Sequence, residues 1–433
     1  MSRPILVMIQ PRRPDPRVLS AAFLHSIGRS ETRITSRCMW PFTRTFPVGR
    51  RMSRSAHDAR KSIKPAPPRP RSQPDLNHEE GEAWHTMKAD ACSNHPEATI
   101  GPAVSLSVLE KHPITDTHGR TIDHLRLSVT SACNLRCLYC RPGACPPSSR
   151  ASLTDDQRVD LVSHLYSHRG LRQLRLTGGE PLLHGSIVDL IARIRDAAPD
   201  LSLAMTTNGL RLAEMARDLR NAGLDRLNVS LDTIDPTRYR TLTGGCVDHV
   251  IGGLSAALDA GFPPPRINTV VLRGHNDDSL ADLAEWAIDR GFEIRFLEAM
   301  PIGQAAEFNR SRFVPEQRIL RQIESRYLLR PLPSASGETS TRFVASNARH
   351  SGVIGIIAPL SKPFCGQCRR MRVTADGLLF PCLLDSRHIS LSQCWERRSL
   401  DTHLADCLID AAIAEKGLAG SYEQRTGMIK LGG

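Results

Sequence analysis

The 433-residue chain has no uninterrupted apolar run approaching the length of a bilayer-spanning helix, which takes about 20 residues. No membrane partner is expected. It also lacks a convincing secretory signal, so its 12 cysteines read as thiols of a reducing compartment, the cytoplasm, rather than as a disulfide framework. Beyond the first 74 residues it lacks any excess of basic charge. Those residues carry 14 Arg and 2 Lys against Asp15, Glu31 and Asp58, a net +13; taking that from the chain's +12 leaves −1 for the rest. A nearly neutral body argues against a nucleic-acid partner.

Residues 1–100 form a basic extension, rich in Arg, Ser and Pro and without a sustained apolar period; it includes "KPAPPRPRSQP" (64–74). This composition reads as disordered. Being acid-poor and Arg-rich, it fits an organellar transit sequence, which would move the protein to the mitochondrial matrix. It equally fits a start codon placed too far upstream, with Met52 or Met87 the true beginning.

From about residue 120 strand and helix patterns alternate. Strands are expected at 123–129, 172–178, 201–207, 225–232, 266–272 and 293–300, and helices from Thr154 onward and at "SLADLAEWAIDRG" (279–291). Six β-α repeats imply an α/β fold, a parallel sheet curled into part of a (β/α) barrel. In such barrels ligands sit at the strands' C-terminal ends. Each of the six expected strands runs into an unusual motif there: "SACNLRCLYC" (131–140), "TGGEP" (177–181), "TTNG" (206–209), "SLDT" (230–233), "RGHND" (273–277) and "EAMPIG" (298–303). Convergence on one rim points to a shared site.

The chemistry centres on cysteine. Cys133, Cys137 and Cys140 form a C-x3-C-x2-C triplet, one thiolate short of a structural zinc site. An iron-sulfur cluster on three thiolates leaves one iron open to a small molecule. Cys365, Cys368 and Cys382 make a second group. Cys394 could complete a zinc ribbon there, so composition alone leaves zinc and iron-sulfur both standing.

The triplet with Tyr139 before its last cysteine, followed by GGEP after the next strand, resembles the radical S-adenosylmethionine superfamily. Within it the chain is most similar to the molybdenum cofactor biosynthesis protein A family, the GTP 3′,8-cyclases. The likeness runs from about Thr117 to the end, through "LRLSVTSACNLRCLYC", "RLTGGEPLL", "LNVSLDT", "EIRFLEAMPIG", "FCGQCRRMRVTADGLLFPCL" and the final "GG". It implies a radical SAM partial barrel over 117–310 and a second-cluster and substrate region over 311–433.

The resemblance further implies that Cys133, Cys137 and Cys140 hold a first [4Fe-4S] cluster and Cys365, Cys368 and Cys382 a second, whose open iron meets the purine of GTP. S-adenosylmethionine would be held by Tyr139, Gly179, Ser230 and Met300, the side-chain-free Gly178 and Gly179 permitting close approach. GTP would be bound by Arg126, Arg175, Thr206, Arg370, Met371 and Arg372, with Arg273 where the family usually has Lys. Gly432 and Gly433 would reach back to assist catalysis. An electron donor and a cyclic pyranopterin monophosphate synthase acting downstream are implied partners; a homodimer is left open. Cys38, Cys92, Cys145, Cys246, Cys394 and Cys407 match no family role.

Two other classes remain at this stage. A radical enzyme acting on peptides with an auxiliary cluster would share both cysteine groups, but not the arginines. A non-catalytic zinc protein binding RNA would leave GGEP without a purpose. Because charge and motifs divide near residue 100, a chain starting at Met87 is expected to keep its iron and full activity; loss of soluble, iron-loaded protein would make the extension part of the fold.

Overall fold

Alternation of apolar and polar residues decides the central strands of the computed structural model, which describes residues 111–140, 151–333, 337–396, 398–418 and 428–431. The basic extension, Cys38, Cys92, Cys145, Gly432 and Gly433 lie outside these residues. The expected six strands are β1 (His124–Ser128), β2 (Gln173–Thr177), β3 (Ser202–Thr207), β4 (Arg226–Ser230), β5 (Arg266–Val271) and β6 (Ile294–Glu298). They pair in that order, all parallel.

Side chains along a strand point alternately to opposite faces, and the sequence uses that rule consistently. In β1, Leu125 and Leu127 are buried in the core while Arg126 faces a cavity; in β2, Leu174 and Leu176 are buried and Arg175 faces the same cavity. The apolar face packs beneath α1 (Asp155–His168), α2 (Ile187–Ala197), α3 (Leu212–Asn221), α4 (Pro236–Thr243), α5 (Val247–Asp259) and α6 (Leu280–Asp289). Each fully buried leucine contributes roughly 1.5–3 kcal/mol. The first helix starts where a capping box closes: Thr154 Oγ1 accepts from the Gln157 N–H at 3.2 Å, and Gln157 Oε1 accepts from the Thr154 N–H at 2.9 Å. Two of the free N–H groups at that helix end are thereby satisfied.

The C-terminal third extends the same sheet at both ends. Beyond β6 lie β7 (Leu328–Pro331), β8 (Thr341–Ser346) and β9 (Ser351–Ile357), with β9 parallel to β6. Beyond β1 lie β10 (Arg370–Val373), β11 (Leu378–Phe380) and β12 (Ile389–Ser390), with β10 parallel to β1. The result is one twelve-stranded sheet. Its added strand β10 directly follows Cys365 and Cys368, which brings the second cysteine group alongside the first strand.

Candidate active site

The first cysteine loop leaves β1 and is tied down by main-chain bonds from two directions. The Gly179 N–H donates to the Thr130 carbonyl at 2.8 Å and the Glu180 N–H to the Ala132 carbonyl at 2.7 Å. From within the loop, the Arg136 N–H donates to the Thr243 carbonyl at 2.9 Å and the Leu138 N–H to the Leu242 carbonyl at 3.0 Å, at the end of α4. A Cβ on Gly178 would stand 2.3 Å from the Thr130 oxygen and one on Gly179 2.2 Å from the Ala132 oxygen; Gly178 also has φ +146°. In the described structure the protein's own backbone already demands these glycines, before any ligand approaches. Gly179→Ala is therefore expected to displace the cysteine loop and lower the iron retained after reconstitution, measured against Gly185→Ala, a position with open space around its Cβ.

Four buried carboxyl and amide groups organise the rim. Glu180 accepts from the Thr207 hydroxyl at 2.6 Å, the Asn208 N–H at 2.7 Å and the Leu182 N–H at 3.1 Å. Burial pushes its carboxyl up to about 7 against the pull of these donors. Asn208 in turn donates to Asn134 Oδ1 at 2.8 Å, inside the cysteine loop. The Tyr139 hydroxyl donates to Asp232 at 2.8 Å, and Asp232 also accepts from the Val270 N–H at 2.9 Å. Asn309 Nδ2 donates to the Tyr139 carbonyl at 3.0 Å and the Met300 carbonyl at 2.8 Å, fastening the first loop to the end of β6.

The thiols themselves are crowded. Burial, then Asp232, Cys140 and Cys133, push the Cys137 thiol well above its ordinary value. Ionising all three cysteines here requires positive charge at their centre, which iron supplies. Among the described residues no three His, Cys, Asp or Glu side chains are grouped to hold a metal ion. In a cluster each thiolate binds a different iron, so its ligands need not converge on one point.

Below this rim lies a cavity of about 420 Å³ whose wall includes Cys365, Cys368 and Cys382. Arg126, Arg175, Arg370 and Arg372 face it, as do Arg226, Arg266, Arg295 and Arg369. Arg372, Arg126 and Arg175 stand side by side in register across β10, β1 and β2. Like charges directly opposite on neighbouring strands repel. Burial, then Arg126 and other guanidinium groups, drive Arg175 well below its ordinary value; burial, then Arg126 and Arg370, do the same to Arg372, and burial, then Arg370, lowers Arg126 to about 10. Arg266 and Arg295 share Glu293 at 3.3 and 2.6 Å, and Arg369 pairs with Asp123 at 2.8 Å. The side chains of Arg126 and Arg175 have no ion pair or hydrogen bond among the described residues. Burial works to raise the Cys368 thiol, but Lys416 and Arg370 outweigh it and hold it below its ordinary value.

Residues 127–287 match the Radical SAM superfamily and residues 292–420 match Molybdenum Cofactor Synthesis C. A GTP 3′,8-cyclase of Acidothermus cellulolyticus is 38% identical over 309 residues, covering 70% of this chain and 84% of its own. One of Alkaliphilus oremlandii is 33% identical over 324 residues, covering 73% and 99%, and one of Heliobacterium modesticaldum 40% identical over 294 residues, covering 67% and 89%. The chain belongs to the GTP 3′,8-cyclase family.

The radical SAM match spans the first cysteine loop and GGEP, and membership of that superfamily implies S-adenosylmethionine and one [4Fe-4S] cluster. The residues expected from the family's pattern divide. Arg126, Arg175, Thr206, Met300, Arg370, Arg372, Cys365, Cys368 and Cys382 share the cavity. Cys133, Cys137, Cys140, Tyr139, Gly179 and Ser230 lie on the rim, around the loop after β1 and the ends of β2 and β4.

Arg273 does not join them. It is exposed beyond β5, and its guanidinium donates to the Phe313 carbonyl at 2.9 Å. Arg266, the first residue of the same strand, faces the cavity instead. Met371 lies between two cavity-facing arginines, so alternation turns its side chain into the core. Cys394 is also in the core, its thiol pushed up to about 12 by burial, and it is absent from the cavity wall. The zinc ribbon loses its fourth ligand. The sequence reading named no role for Glu180, Asp232, Asn208 and Asn309. All four act through contacts distant in sequence, although the first three sit inside quoted motifs.

Proposed function

We propose that this chain converts GTP to (8S)-3′,8-cyclo-7,8-dihydroguanosine 5′-triphosphate, the first step of molybdenum cofactor biosynthesis, and that Cys365, Cys368 and Cys382 hold a second [4Fe-4S] cluster. The observation that carries this reading is one cavity walled by three cysteines and, in the same wall, by Arg126 and Arg175, whose side chains have no carboxylate partner among the described residues. A triphosphate brings roughly four negative charges, which guanidinium groups take up through forked hydrogen bonds. Arg126, Arg175, Arg370 and Arg372 are assigned to it, with Arg266 in the place first expected of Arg273. The Thr206 hydroxyl is aimed at the nucleotide. Any contribution from Met371 is through its main chain.

The first cluster with S-adenosylmethionine supplies, when bound, a carbon-centred radical able to take hydrogen from ribose C3′. The chain's own residues provide placement. Tyr139, Gly179, Ser230 and Met300 would surround the methionine and adenine parts of the cofactor, while the Asn309 amide keeps Tyr139 and Met300 in fixed relation. Arg372 donates to the Leu431 carbonyl at 3.0 Å, and Gly432 and Gly433 follow directly. A side-chain-free pair suits the assisting role assigned to it. A cyclic pyranopterin monophosphate synthase would consume the product.

The deciding experiment is anaerobic incubation with GTP, S-adenosylmethionine and dithionite, measuring 5′-deoxyadenosine and cyclised nucleotide in parallel by mass spectrometry. The parent protein is expected to form both. Cys382→Ala is expected to cleave the cofactor without cyclising GTP, because a misplaced guanine spoils the near-attack geometry. A parental ratio of the two products in that variant would remove Cys382 from substrate handling and favour a peptide substrate.

A further inference from the structure

Two buried cations outside the assignments above grip the second cysteine group. Lys416 is 2% exposed and lies in the cavity wall, and no carboxylate pairs with it among the described residues. Its Nζ donates to the Arg370 carbonyl at 2.8 Å and to the Pro381 carbonyl. Arg370 lies two residues past Cys368, and Pro381 immediately precedes Cys382. Arg120 is 7% exposed and belongs to the segment before β1. Its guanidinium pairs with Asp116 at 2.5 Å and donates to the Cys365 carbonyl at 2.5 Å. It donates also to the carbonyls of Lys416 at 2.7 Å and Gly417 at 3.2 Å.

Each cysteine of the group is thus held, at or beside its own main chain, by one of two cations that are themselves joined. Carbonyl oxygens satisfy an ammonium's donors but do not cancel its charge. A buried ammonium without a carboxylate is costly unless an anion faces it. Three thiolates around iron and sulfide supply such an anion, and groups just outside a metal's ligands orient those ligands and tune its potential.

We propose that Lys416, locked by Arg120, is a positioning residue of the second site: it fixes the Cys365–Cys368 turn to the Cys382 strand end and raises the reduction potential of the cluster held there. This rests on the second-cluster reading. The full chain carrying Cys133→Ala, Cys137→Ala and Cys140→Ala isolates that cluster, and iron content with a redox titration followed by electron paramagnetic resonance reads it. This reference protein is expected to keep half the parental iron; an iron-free reference would overturn the second cluster and this inference together.

On that background Lys416→Met is expected to weaken reduction about tenfold, a midpoint about 59 mV more negative for one electron. Lys416→Arg should stay near the reference. Lys416→Gln keeps an amide donor for the carbonyls and removes only the charge, so it serves if the Met variant fails to fold. A reference-like midpoint and iron content in the neutral variants would overturn the inference and leave the second cluster standing. Equal iron loss in the Met, Gln and Arg variants would mark a merely structural residue and overturn it too.

Discussion

Cys137→Ala is expected to lose half of the protein's iron and to reduce 5′-deoxyadenosine formation to background, with Cys133→Ala and Cys140→Ala doing the same. Cys133, Cys137 and Cys140 share the loop after β1, and burial and its neighbours press the Cys137 thiol well above its ordinary value. Removing one leaves two ligands for a cluster that must also keep an iron open for the amine and carboxylate of S-adenosylmethionine. No nearby described side chain can substitute: Asp232 is engaged by Tyr139 and the Val270 N–H. Iron assay and quantification of 5′-deoxyadenosine check this directly. Cleavage of the cofactor persisting in all three variants would rule out the loop as the radical-generating site.

Arg175→Met is expected to raise the melting temperature of the nucleotide-free protein and to abolish the further rise that GTP produces. Both effects have one cause. Arg175 is half-buried in the cavity wall, with no side-chain partner among the described residues and beside Arg126, so folding bears part of its desolvation and its repulsion. The penalty for a buried ion reaches several kcal/mol after relaxation. Methionine fills similar space without charge. Even a gain of about 1 kcal/mol would lift the midpoint by roughly 2 °C. On the proposed assignment the triphosphate repays that charge in the parent, by stabilising only the folded form. Differential scanning calorimetry with and without GTP separates the two. A lower midpoint in the ligand-free variant would show that Arg175 already has a structural partner and does not await the nucleotide.

Much of this site was readable because strands alternate. The period-two pattern located β1 to β6 within two residues of their observed ends, and the same pattern explains why Arg126 and Arg175 face inward. It also held information that motif matching passed over. Arg266 is in phase with Asn268, which faces the cavity, whereas Arg273 lies beyond the strand where phase no longer constrains it. Met371, one residue from two cavity-facing arginines, had to point away from the cavity into the core on the same rule. What alternation could not supply was pairing across the chain. β10 has four residues and β11 three, too short to carry a period, and β10 pairs with a strand near the start of the described fold. The Tyr139–Asp232 and Asn208–Asn134 bonds likewise join loops that only the assembled sheet brings together.

The extension of the sheet at both ends bears on how the protein is made. The six parallel strands alone would leave β1 and β6 as open edges, rows of unpaired N–H and C=O groups that invite pairing with another chain. In the finished molecule β10 covers one edge and β9 the other. Both arrive late in synthesis, and contacts of such long sequence separation form slowly because the loop must close first. The half-made barrel is consequently the species most exposed to aggregation. The strand that protects its first edge also carries Arg370 and Arg372 to the cavity, so protection from misassembly and completion of the site happen in one docking event.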